Sequence, residues 1–74
     1  MSKIDEIADS LAKQALELAD KADDERVIEE IAKQIGTSSP TVEEAFRTMV
    51  RMRRAELRAK TLMATLESRL ESED

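Results

Sequence analysis

The chain has 74 residues, 17 acidic and 12 basic for a net charge of −5, one Phe, and no Cys, His, Trp or Tyr. That composition excludes disulfides and thiolate metal sites, removes the commonest general base and metal ligand, and leaves no aromatic platform for stacking single-stranded bases. The length allows one domain with a modest core, for which oligomerisation is a natural supplement, and the abundance of Ala, Leu, Glu, Lys and Arg points to an all-α chain.

Ser2 is a candidate cap for a helix over 3–22. Ile4, Ile7, Ala8, Leu11, Ala15, Leu18 and Ala22 recur on it at helical spacing, with Lys3, Asp5, Glu6, Asp9, Lys13, Glu17 and Asp20 off that stripe. The segment 21–26, KADDER, holds two residues that cap well, Asp23 and Asp24, but neither Gly nor Pro. Two readings follow. Either a second helix occupies 24–35, or the first continues through a 3.5-residue repeat of Leu18, Ala22, Ile28, Ala32 and Ile35 that only Glu25 interrupts.

The centre of the chain, 27–47, carries the only Gly, the only Pro and the only Phe. Ile28, Ile31, Ala32 and Ile35 form one apolar face. Gly36 follows where a helix often closes at φ > 0, and 36–39 reads as a turn. Ser39 before Pro40 has the form of an N-cap with Pro at the first helical position, and Thr41 with Glu44 offers a competing capping box. The stretch resembles the helix-turn-helix of bacterial, plasmid and phage DNA-binding proteins over 28–47. Ala32 stands at the small position of the first helix, Gly36 at the turn, and Thr41-Val42 opens the second helix. Ile31, Ile35 and Val42 match the buried contacts, while Thr37, Ala45, Glu43 and Glu44 depart from the pattern. The resemblance implies a steep crossing of two short helices and a second helix that reads duplex DNA.

From Pro40 the pattern continues without a breaker, predicting a helix over 40–72, of roughly 30 residues and about 45 Å. Val42, Ala45, Phe46, Met49, Val50 and Leu57 are suited to a core shared with the first two helices. Ala59, Leu62, Met63, Leu66 and Leu70 extend beyond any such core at heptad-like spacing, and Leu62, Met63, Leu66 and Leu70 are the expected oligomerisation residues, a homodimer being favoured. Met49, Met52 and Met63 read as core or dimer seam, Met being an adaptable filler.

Charge is segregated. Residues 1–46 carry −7, 47–60 carry +5 and 61–74 carry −3. Arg47, Arg51, Arg54 and Arg58 share one helix face. With Ser38, Ser39 and Thr41 they are the candidate contacts to duplex DNA, the arginines tracking phosphates. The alternative is intramolecular. If the helices flanking the turn run antiparallel, Glu30 meets Arg47, Asp24 meets Arg53, Asp23 meets Arg54 and Glu17 meets Lys60.

No nucleophile motif, phosphate loop, calcium loop or carboxylate metal spacing occurs, so no enzymatic activity, cofactor, metal or small-molecule substrate is expected. No apolar run approaches membrane-spanning length and the N-terminus lacks a signal-peptide core, so no membrane partner and a cytoplasmic location are expected. Two functions fit. One is a small helix-turn-helix-like DNA-binding or regulatory protein that dimerises through its C-terminal helix. The other is a non-catalytic helical hairpin, an adaptor, inhibitor or assembly subunit acting on a protein partner, with two hairpins forming a four-helix bundle.

Overall fold

The computed structural model describes residues 2–73. Over them the chain is all-α, with α1 Lys3–Ala22, α2 Arg26–Ser38 and α3 Pro40–Ser72. Ser2 caps α1, its Oγ accepting from the Asp5 N–H at 3.1 Å. The break after α1 is real, and it is made by aspartates. Asp23 takes a left-handed conformation (φ 51°), which Asp tolerates better than most residues, and its N–H is bonded to the last turn of α1. Asp24 Oδ1 then accepts from the Arg26 N–H at 3.0 Å, and its carboxylate also holds the Arg26 guanidinium. The continuous-helix alternative, and the two-helix hairpin built on it, therefore fail.

The second break differs from the expected one. Gly36 does not end a helix. It stays at negative φ inside α2, which runs to Ser38 rather than stopping at residue 35. The expected turn over 36–39 shrinks to Ser39. The cause is Pro40, whose ring pushes the preceding residue out of the α region, and Ser39 is accordingly extended (φ −152°). Ser39 also serves both helices. Its N–H closes α2 on the Ile35 carbonyl at 2.9 Å, and its Oγ caps α3 by accepting from the Val42 N–H at 3.1 Å.

α2 folds back along α3 rather than crossing it steeply. Arg47 bonds Glu29 and, further from the turn, Arg54 bonds Glu25. Glu25 lies about 21 Å before Ser39 and Arg54 about 22 Å after it at 1.5 Å per residue. One side-chain ion pair can join arms that long only if they are nearly antiparallel. α1 runs parallel to α3. Ile4 and Asp5 share a groove with Pro40, Thr41 and Ala45, Asp9 reaches Arg53, and Leu16 and Asp20 share a groove with Leu57. The result is an up-down-up bundle.

Its core is built on alanine. Ala8, Ala12, Ala15 and Ala32 surround Phe46, Met49 and Val50, with Leu11, Leu16, Ile28, Ile31 and Ile35 packed around them. Small side chains let the helices approach closely, and Phe46, at 0% exposure, fills the space between them. The expected stripe on α1 is rotated. Ala8, Ala12, Ala15 and Ala19 face inward, while Ile4, Ile7 and Leu18 remain exposed. Leu57, expected in the core, is 66% exposed. It lies level with the corner where α1 ends and α2 begins, so little chain is left there to cover it. α3 continues past that corner for the rest of its 33 residues, and the molecule is 56 Å long.

Candidate interaction surface

Three of the arginines in the basic stretch of α3 are held by carboxylates from the other helices. Arg47 sits half-buried between two carboxylates, Glu29 of α2 and Glu43 of its own helix. Its guanidinium donates to both oxygens of Glu29, at 2.8 and 3.0 Å, and to Glu43 Oε2 at 2.8 and 3.0 Å. Arg53 makes a two-pronged bond to Asp9 at 2.8 and 2.9 Å, and Arg54 bonds Glu25. The Glu29 and Asp9 carboxyls are both held below their ordinary values by hydrogen bonds from Arg47 and Arg53, and the two guanidiniums are stabilised in the charged form in return. Gly36 belongs to this cluster. A Cβ built on it would stand 2.1 Å from Glu43 Oε1, so the missing side chain makes room for the carboxylate that Arg47 grips.

The residues singled out for DNA are scattered in character. Ser38 and Thr41 are exposed, Ser39 is engaged in capping, Arg47 is engaged with Glu29 of α2, and Arg54 with Glu25 just before it. Arg51 is exposed and donates to Thr48 Oγ1 at 3.3 Å. Arg58 is exposed, with no carboxylate within salt-bridge reach among the described residues. The intramolecular register expected between acids and bases exists, but with other partners. Arg47 takes Glu29 rather than Glu30, Arg54 takes Glu25 rather than Asp23, Arg53 takes Asp9 rather than Asp24, and Lys60 pairs within α3 with Glu56 at 3.8 Å. The expected pairs assumed helices packed alongside each other through residues 17–30. The break at 23–25 instead sends α1 along another side of α3, where Asp9 had no evident reason to be preferred from sequence.

The far half of α3 carries the other candidate. Leu62, Met63, Leu66 and Leu70 are 55%, 59%, 42% and 68% exposed. At 100° per residue, Met52, Ala55 and Ala59 fall with them in an arc of about 100°, the width of an amphipathic stripe. All three are exposed as well. The arc points nearly opposite Phe46 and Val50, so it does not continue the core face. From Met52 to Leu70 it runs about 27 Å. Off the stripe, the Thr61, Thr65 and Ser72 hydroxyls donate to carbonyls one turn earlier, at 3.0, 3.1 and 2.9 Å. Met52, a core-or-seam residue by its type, is 59% exposed, and its spacing to Ala59 and Leu66 puts it on this stripe.

Among the described residues no polar or charged side chain is buried, no three metal-binding side chains converge, and no helix is long and apolar enough to cross a membrane. No protein-family model, curated protein or solved structure matches the chain.

Proposed function

We propose that the protein is a non-catalytic assembly module that acts by protein contact, joining copies of itself through the exposed stripe on the far half of α3. The observation that carries this reading is the run Leu62, Met63, Leu66 and Leu70, large apolar side chains left exposed on a half-helix that no other helix covers among the described residues. Covering such side chains contributes about 1.5–3 kcal/mol each when complete. Four of them per chain give a total on the scale of the cost of association. The reading of a protein without catalysis is supported by the ionisable side chains among the described residues, none of which is buried in a dry site.

Duplex DNA is the less favoured ligand on the same geometry. A phosphate docking at Arg47 or Arg54 must first displace carboxylates already bonded there. The test is molar mass in solution as a function of concentration, for the wild type and for Leu66→Glu, with and without duplex DNA. The expected result is a wild-type mass that rises from one chain toward two, a variant that stays at one, and no change with DNA. A wild type that remains a monomer at every concentration overturns the proposal, and a DNA-dependent mass lost in Arg51→Ala or Arg58→Ala replaces it with the DNA reading.

A further inference from the structure

The two edges of the exposed stripe carry opposite charge. Along one edge lie Arg51, Arg58 and Arg69, with Thr65 between the last two and no acid. Along the other lie Glu56, Lys60 and Glu67, followed by Glu71 slightly further round. Lys60, the exception, is turned toward Glu56 on its own edge at 3.8 Å. These groups are exposed, and Arg51 and Arg58 have no carboxylate partner among the described residues.

An asymmetry of this kind selects an orientation. When two identical helices meet stripe to stripe in parallel, the two-fold axis runs along them, and each helix lays its left edge against the right edge of its twin. When they meet antiparallel, like edges meet. Here the antiparallel arrangement sets arginines against arginines and glutamates against glutamates. The parallel one sets Arg58 near the partner's Glu56, and Arg69 near the partner's Glu67. We infer that the partner of this stripe is a second copy of the chain in parallel and in register, with both three-helix heads at the same end. α1 and α2 pack on the Phe46–Val50 side of α3, away from the stripe, so the heads do not stand in the way. The inference rests on the self-association reading above and adds to it the direction and the pairing of the edges.

The sequence contains no cysteine, so an introduced one is the only thiol present. Two single variants, Ala59→Cys and Leu70→Cys, sit at separate levels of the stripe, about 16 Å apart. In a parallel in-register pair each residue faces its own copy, within the span a disulfide bridges. Each variant alone, mildly oxidised, is expected to form a covalent dimer on non-reducing electrophoresis. Cross-linking only when the two variants are mixed, or at only one of the two positions, overturns the parallel arrangement while leaving self-association intact. Failure of both to cross-link, together with a monomeric mass for the wild type, removes self-association as well. Charge gives an independent readout. Arg58→Glu with Arg69→Glu is expected to raise the dimer dissociation constant about ten- to thirtyfold at low salt, with the difference shrinking as salt is added. An unchanged or lowered constant in that variant overturns the edge pairing.

Discussion

Phe46 and Leu66 stand on one unbroken helix, but the first is at 0% exposure and the second at 42%. Both halves of α3 are amphipathic, yet their apolar faces point in nearly opposite directions. Around Phe46 the helix is sheathed by α1 and α2 and tied to them by Asp9, Glu25 and Glu29. Around Leu66, among the described residues, no other helix covers it. The contrast separates residues that hold the fold from large apolar residues that the fold leaves open to solvent. An intramolecular core needs its apolar face where the chain can return to cover it, and α1 is too short to reach the far half of α3. An apolar face maintained beyond that reach has no folding role in the monomer.

The sharpest way to break the comparison is to truncate each half at its centre. Phe46→Ala is expected to cost about 3–5 kcal/mol, most of the stability of a domain this small, and to unfold the head in thermal or urea denaturation followed by circular dichroism. Leu66→Ala is expected to leave the melting of a dilute sample unchanged and to act only on the concentration dependence. A Leu66→Ala protein that melts early at high dilution would mean that the far half supports the head after all. Adding volume should discriminate in the same way. Ala12→Leu, in the closely approached core, is expected to cost about 1–3 kcal/mol by overpacking, whereas Ala59→Leu on the open stripe should leave dilute stability within about 0.5 kcal/mol and tighten association.

The same contrast explains what could be read in the sequence. Helices over 3–22 and 40–72 were legible because their ends carry chemical signals: Ser2 as a cap, Ser39-Pro40 as a start, an uninterrupted pattern between. That Leu62, Met63, Leu66 and Leu70 lie outside the core was legible because their spacing continues beyond the reach of the first two helices. Gly36 misled because glycine has two uses. As a terminator it needs positive φ, but here its service is the absence of a side chain beside Glu43, which depends on how α2 meets α3 and leaves no local mark. The core face of α1 was blurred for a related reason. Close packing favoured Ala12 and Ala19 over the larger Ile7 and Leu18, reversing the rule that the bulkiest apolar residues go inside.

That second use of Gly36 can be sharpened into a moderate, double-edged effect. Gly36→Ala adds helix propensity worth about 0.8–1 kcal/mol but drives the new Cβ into Glu43 Oε1. The carboxylate is the end of a flexible side chain, so it should swing away and surrender Arg47 to Glu29 alone. The single variant is expected to be within about 0.5 kcal/mol of wild type, and Gly36→Ala combined with Glu43→Ala to be more stable than Glu43→Ala by close to the full propensity gain. Urea denaturation of the four proteins in that cycle measures it. An equal effect of Gly36→Ala in both backgrounds would mean that Gly36 and Glu43 do not interfere.

The smallest expected effect is a pH dependence confined to the head. Asp9 and Glu29 are held below their ordinary values chiefly by hydrogen bonds from Arg53 and Arg47, opposed in part by desolvation. A carboxyl depressed in the folded state binds its proton more readily when unfolded. Its stabilising contribution is therefore complete above the ordinary carboxyl range, near about pH 4, and is lost as pH falls through the lowered folded values. The Asp9 side chain is 31% exposed and that of Glu29 51%, so solvent screens both pairs and the loss should be gradual and modest. Asp9→Asn removes one titrating partner. It is expected to lower the thermal midpoint slightly at neutral pH and to flatten its descent below about pH 4, leaving the two proteins closer together in acid than at neutrality. Midpoints recorded by circular dichroism on dilute samples across that range check this. A descent equally steep in Asp9→Asn would mean that the Asp9–Arg53 bond is not part of what acid takes from the head.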